Sequence, residues 1–254
     1  MNVGLLPCAG KGSRFSGRMG SKEMQPQYGG EPLIVSALER LARLDLEYVV
    51  VVIDDGHEDT YQYLRTDLDL RFEHMQFAFI QQKEHCWRHD LPAAILSAQP
   101  LISMKHVYLT FPDTVIQPVG CLAALKGRKG LTVGLFPSEE SERFGMVDVY
   151  NDGERNIISD AADKVSRVEW GDRSKYCWGI LTWFQPADIT HGFSGELFWK
   201  KTVTEAIRDY AKKQNDMPDP NYTVVIFQPG VYRDAATAED LANICEWQIG
   251  RDVE

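Results

Sequence analysis

Short apolar runs alternate with amphipathic stretches through the first half of the chain. The runs predict buried strands, because strands covered on both faces of a sheet lack polar alternation. They lie at 2–7, 47–53, 75–81, 106–111 and 131–136. Helical periodicity predicts helices at 31–44, 58–68, 91–98 and 118–126. This order of strands and helices is typical of a mainly parallel sheet with helices on both sides.

The pattern changes after residue 137. The stretches FGMVDVY and YCWGILTWF (176–184) alternate as antiparallel or half-exposed strands do. Further along, the sequence predicts a long amphipathic helix at 195–213, a strand at 222–228 and a final helix at 237–249. We find no internal repeat and no low-complexity linker. We therefore predict a single domain over residues 1–254, with one half at about 1–136 and another at about 137–254.

Charge and cysteine content narrow the classes of function. The formal net charge of -10 argues against a nucleic-acid-binding surface, which normally shows a basic patch. A local basic cluster in an acidic protein can still bind a nucleotide. The five cysteines are scattered without a CxxC pair, which predicts reduced thiols and a cytoplasmic location. No apolar stretch approaches the length of a membrane span.

The segment GLLPCAGKGSRFSGRMGSKEMQP (4–26) follows the first predicted strand with glycines and basic residues. Gly10 and Gly12 allow successive backbone N–H groups to point at one anion, and Arg14 and Lys22 add positive charge. The spacing matches neither the GxGxxG dinucleotide motif nor the Walker motif, which argues against an NAD(P)-dependent oxidoreductase. A lone glycine pair would indicate only a surface loop, but the basic residues favour a phosphate site.

The quoted motif LPCAGKGSRF…SKEMQPQYGGEPLI resembles the signature of the sugar-1-phosphate nucleotidyltransferases, both uridylyltransferase-like and thymidylyltransferase-like. The resemblance implies an α/β fold of that family's nucleotide-diphospho-sugar transferase type. This fold is a Rossmann-like three-layer αβα arrangement with a mainly parallel mixed central sheet. It also implies that residues 1–136 bind the nucleotide and residues 137–254 bind the acceptor. Cys8 and Lys11 stand where small residues are usual in the family, and Ser21 stands where proline is usual.

The resemblance also assigns residues to the nucleotide and to a metal. The triphosphate and base would contact the opening turn, Lys22 and two later positions. These residues are Pro7, Ala9, Gly10, Gly12, Ser13, Arg14, Lys22, Gln82 (with Gln81 as the alternative) and Leu91. Asp113 follows a predicted strand where the family has a Gly-Asp pair, and Asp234 matches the aspartate of a W-x-D-x-G-T-P-E-D segment. These two aspartates would hold Mg²⁺. Either one alone would be better explained as a turn or helix-cap residue, but the two together, each in its motif context, favour a metal site.

Acceptor contacts follow from three further motifs. RFGMVDV (143–149) resembles the family's RYGVV strand and assigns Gly145, and Asp163-Lys164 stands where an E-K-P motif is usual. Lys164 would hold the acceptor phosphate, the alternative being an ordinary surface lysine. Gly179 in YCWGILTWF would lie against the sugar. His85, Cys86 and His89 could suggest zinc, but without a fourth ligand they are better explained as part of a polar loop.

The resemblance implies an enzyme that joins a nucleoside monophosphate from a nucleoside triphosphate to a sugar 1-phosphate and releases pyrophosphate. Arg14, Lys22, Asp113 and Lys164 would be the catalytic residues and Mg²⁺ the cofactor. Two alternatives remain open: the same chemistry on a non-sugar phosphate or phosphonate, and a regulatory domain that binds nucleotide or sugar without turnover. The predicted partners are small molecules, with no nucleic acid and no membrane. The sequence leaves the oligomeric state open, a homo-oligomer included.

Overall fold

A computed structural model describes residues 1–10, 20–83, 90–128, 130–184, 202–217 and 219–252. Its strands are β1 Asn2–Pro7, β2 Tyr48–Ile53, β3 Phe77–Gln81, β4 His106–Thr110, β5 Thr114–Gln117, β6 Leu131–Pro137, β7 Gly145–Asn151, β8 Asn156–Asp163, β9 Tyr176–Phe184, β10 Tyr222–Ile226 and β11 Val231–Asp234. Its α-helices are α1 Ile34–Leu41, α2 Glu58–Gln62, α3 Leu91–Ile102, α4 Arg167–Trp170, α5 Val203–Asn215 and α6 Ala238–Asp252.

The central sheet has the strand order β10-β6-β9-β4-β1-β2-β3. Neighbours β1–β2, β2–β3, β1–β4 and β6–β10 are parallel, whereas β9 runs antiparallel to both β4 and β6. The β7–β8 pair joins the sheet through β9. The predicted fold class, a mainly parallel mixed sheet with flanking helices, is confirmed.

Two apolar layers cover the faces of the sheet. Successive residues of a strand point to opposite faces, so Leu5 of β1 joins the layer that includes α3 and α5, while Leu6 joins the layer under α1. The consecutive valines of β2 divide between the two layers in the same way. This double coverage explains why the strands read as uninterrupted apolar runs in the sequence.

Three helix predictions differ from the structure. The predicted helix at 118–126 consists of two 3₁₀ turns, Val119–Cys121 and Ala123–Leu125, in a segment that starts with Pro118 and contains Gly120. The predicted helix at 58–68 is α2 followed by a π turn at Tyr63–Asp67. Residues 195–201 lie outside the described residues, and α5 begins after a capping box formed by Thr202 and Glu205. Among the described residues, no helix is long and apolar enough to cross a membrane.

Candidate active site

A small two-stranded sheet brings the two predicted metal ligands together. β5 and β11 pair antiparallel, with Asp234 opposite Thr114. The N–H of Ala235 donates to the carbonyl oxygen of Asp113 at 3.0 Å, so the aspartates come from neighbouring backbone positions. Asp113 follows the carboxyl end of β4, the edge of an α/β sheet where ligands bind. The 120 residues between these carboxylates in the chain are therefore spanned by a single strand pairing.

Lys22 reaches the same edge from the opening segment. Its Nζ forms an ion pair with Oδ2 of Asp113, and both side chains are largely shielded from solvent. The side chains surround a cleft of about 320 Å³. We call this cleft the triphosphate cleft after the ligand that the sequence analysis predicts for it. Its lining residues are Pro7, Cys8, Gly10, Lys22, Glu23, Pro112, Asp113, Lys164, Asp234 and Ala236.

A second cleft of about 290 Å³ meets the first at Asp113, Lys164 and Asp234. We call it the acceptor cleft after the ligand that the sequence analysis predicts for two of its lining residues, Gly145 and Lys164. Its wall carries the rings of Phe111 and Trp178, whose centroids lie 5.5 Å apart. The remaining lining residues include Asp90, Leu91, Arg143, Phe144, Gly145, Asp163, Thr204 and Tyr232. The three shared charged residues thus stand at the border between two spaces for ligands.

Burial and neighbouring charge shift the pKa of Asp234. Burial raises the pKa of this carboxyl above its ordinary value, and the negative charge of Asp113 raises it further. Arg143 and Lys22 lower it, but they only partly offset the first two causes. Two carboxylates that repel each other close to cations are an arrangement that favours binding of an additional positive charge.

Arg143 is a site residue that the sequence reasoning missed. Its Nη2 donates to Oδ1 of Asp234 at 2.6 Å, and its Nη1 forms ion pairs with Asp240 at 2.8 Å and Glu140 at 3.1 Å. The other oxygen of Asp240 accepts from the N–H and hydroxyl of Thr237 at the start of α6. Arg143 therefore links Asp234 to the capped end of a helix. Its position directly before the quoted FGMVDV strand was the sequence feature that could have identified it as a site residue.

Arg40 is the second missed residue. It is 1% exposed, and its guanidinium donates to the hydroxyl of Thr110 at 2.9 Å and to the carbonyl oxygens of Phe111 at 3.0 Å and Thr114 at 3.2 Å. Burial lowers its pKa to about 10. These hydrogen bonds all go to the segment that carries Asp113, so Arg40 fixes the loop between β4 and β5. In the sequence, the only indication of this role is that Arg40 lies on the inward face of α1.

Glu23 contributes a carboxyl beside Lys22. It is 3% exposed, and burial raises its pKa to about 7 despite the hydrogen bond that it accepts from the hydroxyl of Thr60 at 2.7 Å. His57 Nε2 lies 3.9 Å from the same carboxyl, and His57 Nδ1 lies 2.8 Å from Oδ1 of Asp54. A buried polar cluster thus supports the back of the triphosphate cleft.

The structure describes only some of the residues that the sequence analysis predicts to contact the nucleotide. Pro7, Gly10 and Lys22 line the triphosphate cleft, whereas Ala9 is buried in an apolar layer. Leu91 lines the acceptor cleft. Gly12, Ser13 and Arg14 lie outside the described residues, as do His85, Cys86 and His89.

The alternative base contacts differ in their surroundings. Gln82 follows β3, and its side-chain Nε2 is buried without a hydrogen-bond partner among the described residues. Gln81 instead donates from its exposed side chain to Asp55 at 2.8 Å. An unsatisfied buried amide is costly, so Gln82 is the one of the pair suited to a ligand.

Two of the three predicted acceptor residues line the acceptor cleft. Lys164 has a φ of 53°, an uncommon conformation for a residue with a side chain. Gly145 also lines the cleft, and a Cβ there would overlap Thr204 Oγ1 and Trp178 Nε1. Gly179 differs from the prediction: the ring of Tyr232 occupies the space beside its Cα, and it is not among the lining residues of either cleft. The glycine there serves internal packing.

The donor set for a metal consists of few protein ligands. No group of three or more His, Cys, Asp or Glu side chains that could hold an ion occurs in the described part of the chain. Asp113 and Asp234 are two hard oxygen ligands at one cleft. This set fits Mg²⁺, which binds through one or two carboxylates and completes its shell with water and phosphate oxygens.

Solved structures with a similar fold include UDP-glucose pyrophosphorylases and a putative glucose-1-phosphate thymidylyltransferase. A UDP-glucose pyrophosphorylase complexed with UDP-glucose is 19% identical, with a TM-score of 0.78 and 99% of each chain covered. This chain has their fold. A putative glucose-1-phosphate thymidylyltransferase from Bacillus anthracis is 17% identical, with a TM-score of 0.76, covering 97% of this chain and 95% of that one.

A UTP-bound UGPase from Acinetobacter baumannii is 15% identical, with a TM-score of 0.73, covering 98% of this chain and 93% of that one. No protein-family model and no curated protein matches the chain. The likeness is therefore one of fold, and it extends over nearly the full length of each of these structures. It agrees with the fold that the opening motif implied.

Proposed function

We propose that the protein is a nucleotidyltransferase that joins a nucleoside monophosphate from a nucleoside triphosphate to a sugar 1-phosphate and releases pyrophosphate. The observation that carries the proposal is the meeting of Lys22, Asp113, Lys164 and Asp234, from four separate segments, in one cleft. The similar structures support it, since they include a complex with UDP-glucose and another with UTP.

The reaction is a single displacement. An oxygen of the acceptor phosphate attacks the α-phosphorus of the triphosphate in line, the new P–O bond forms, and the bond to the β-phosphate breaks to release pyrophosphate. The acceptor phosphate is already ionised, so the chain supplies neither a nucleophile nor a general base. Its tasks are to orient two anions and to offset their repulsion.

The charged residues divide these tasks. Lys22 faces the triphosphate cleft and neutralises phosphate oxygens, and Arg14 adds a second cation from outside the described residues. Lys164 lines both clefts, so it binds the acceptor phosphate where it meets the α-phosphate. Gln82 and Leu91 contact the base. Gly145 lines the acceptor cleft, and its lack of a side chain leaves room for Thr204 and Trp178, which line the same cleft.

Asp113 and Asp234 would hold Mg²⁺, which supplies positive charge against the phosphate oxygens in the reaction. The fit rests on the hard oxygen donors and on the nearness of the two carboxylates: burial raises the pKa of Asp234, and the negative charge of Asp113 raises it further. Lys22 and Arg143 keep the pair oriented, because each cation binds one oxygen of one aspartate.

A second acceptor class is supported by the lining of the acceptor cleft. Asp90 and Asp163 lie there together with the rings of Phe111 and Trp178. Carboxylates beside aromatic rings suit a positively charged group, which ring faces attract. The same chemistry on an aminoalkyl phosphate or phosphonate is therefore the alternative, and binding of nucleotide without turnover is the non-enzymatic one.

A screen of nucleoside triphosphates against sugar phosphates and aminoalkyl phosphates, read by pyrophosphate release with and without Mg²⁺, tests the proposal. We expect turnover with one class of acceptor and none when the metal is chelated. Tight nucleotide binding without pyrophosphate release from any acceptor would support the non-enzymatic alternative.

Asp113→Asn tests the role of the cleft. The amide preserves size but removes a metal ligand and the partner of Lys22, so kcat should fall by about 10²–10³ with the fold intact. The control Asp160→Asn also removes an acid paired with basic residues, Arg173 and Lys212, at a position that is not among the lining residues of the two clefts. Near-normal turnover of Asp113→Asn with Mg²⁺ would contradict the assignment.

A further inference from the structure

Asp59, near the start of α2, binds the residue before Lys22 through two hydrogen bonds. Oδ2 of Asp59 accepts from the N–H of Ser21 at 2.7 Å, and Oδ1 accepts from the hydroxyl of Ser21. Oδ1 also accepts from the N–H of Thr60 at 2.8 Å. The carboxylate is therefore fixed at both oxygens and holds Ser21 in one orientation.

The flanking residues are arranged around the same contact. Gly20 has a φ of 99°, and a Cβ there would stand 2.7 Å from Oδ2 of Asp59, so only glycine permits this approach. On the other side of Lys22, the hydroxyl of Thr60 donates to Oε1 of Glu23 at 2.7 Å. Residues 21 and 23 are thus both anchored to the first turn of α2.

Asp59 is half-buried, and the other anchoring residues are buried. Ser21 is 5% exposed, Glu23 is 3% exposed and Thr60 is not exposed. Burying polar groups costs free energy that apolar packing of the same shape avoids, so a cluster of this kind contributes less to stability than to a fixed geometry. The residue held between the anchors is Lys22, which points at Asp113.

We propose that Asp59 and Thr60 are positioning residues that hold Lys22 in the triphosphate cleft. Neither is among the residues that line the cleft, so they act through Ser21 and Glu23. A lysine side chain has several rotatable bonds, and fixing the backbone on both sides limits how far its ammonium can move from Asp113. The kinetic part of this inference rests on the proposed nucleotidyltransferase reaction.

The test compares Asp59→Asn and Thr60→Val with a matched control. Asp148 on β7 also accepts from the N–H and the hydroxyl of one serine, Ser174, at 2.7 and 2.6 Å. Asp148→Asn therefore removes the same kind of contact away from the two clefts. Valine has the shape of threonine but lacks the hydroxyl, so Thr60→Val removes the bond to Glu23 with little change in packing.

Two readouts are needed. The first is the rate at which acetic anhydride modifies Lys22 in the protein without nucleotide, measured by peptide mass spectrometry against the exposed Lys175 in the same sample. The second is kcat and KM with the triphosphate that the screen identifies. Melting temperatures of all variants show how much each substitution destabilises the fold.

We expect modification of Lys22 to speed up by up to about tenfold in Asp59→Asn, because a hydrogen bond to a charged group is lost. kcat/KM should fall by a similar factor, and both should stay near the wild-type values in Asp148→Asn even if its melting temperature drops equally. Unchanged modification of Lys22 in Asp59→Asn and in Thr60→Val overturns the inference. Absence of turnover in the wild type refutes the proposed function alone, since the modification rates still decide the positioning role.

Discussion

Glu23→Gln tests whether the carboxyl beneath the triphosphate cleft is held at a cost to stability. Burial raises the pKa of Glu23 from an ordinary value of 4.5 to about 7, and the negative charge of Asp113 adds to the increase. The hydrogen bond from Thr60 and the proximity of His57 lower the pKa, but they do not cancel the burial. Glutamine keeps the size of the side chain and an oxygen that accepts from Thr60.

The pKa of Glu23 in the folded protein and its ordinary value together determine how stability changes with pH. The folded protein holds the Glu23 proton more tightly than the unfolded chain, so below pH 4.5 the side chain is neutral in both states and costs nothing. As the pH rises towards 7 the unfolded chain ionises first, and the folded protein loses stability. Above about pH 7 the loss is complete, and the difference between the two pKa values corresponds to about 3 kcal/mol.

Urea unfolding at pH 5 and at pH 8, with EDTA present, measures this cost. At pH 5 the wild type and Glu23→Gln should differ little, whereas at pH 8 the variant should be the more stable by up to about 3 kcal/mol. Glu154→Gln, in the exposed turn between β7 and β8, is the control for a glutamate outside the cluster. If the stability difference between Glu23→Gln and wild type is the same at both pH values, the reasoning from burial is refuted.

Two further substitutions test the acceptor side. Arg143→Gln removes one of the two cations that lower the pKa of Asp234, so that pKa should rise further. The acidic limb of the pH profile of activity should therefore move to higher pH. Arg71→Gln also removes an arginine paired with three acids, and it should leave the pH profile unchanged. Gly145→Ala should lower stability by about 1–3 kcal/mol in urea unfolding and raise the KM for the acceptor, while Gly120→Ala, with open space around it, should change neither.

The sequence predicted the central sheet and its flanking helices better than it predicted the strands that pair outside the central apolar runs. Apolar runs such as that of β2 mark strands because double coverage leaves no polar alternation. The small β5–β11 sheet was missed, since it joins segments more than a hundred residues apart and neither strand is apolar enough to stand out. Strand β8 was missed for a related reason: residues 159–163 look polar because the strand is only partly covered.

The candidate site likewise contains residues that the sequence predicted and residues that only the fold reveals. Asp113 and Asp234 were predicted from their motif contexts, and the structure brings them to one cleft through a pairing that no local pattern announces. Arg40 and Arg143 were not predicted, because an arginine on a helix or before a strand ordinarily belongs to the surface. Only the fold reveals that one is buried against the Asp113 loop and that the other binds Asp234.

The charge balance of the cleft predicts the order in which the ligands of the proposed enzyme would bind. The described lining of the triphosphate cleft contains Lys22 and Lys164 but also Glu23, Asp113 and Asp234, so the acids outnumber the cations. A triphosphate brings further negative charge and is repelled by this set unless compensating charge comes with it. In the proposed enzyme, Lys11, Arg14 and Arg18, which lie outside the described residues, would supply part of that charge, and a divalent cation on the triphosphate would supply the rest. In the proposed enzyme the nucleotide therefore binds as its metal complex, and the acceptor phosphate follows once Asp113 and Asp234 are neutralised.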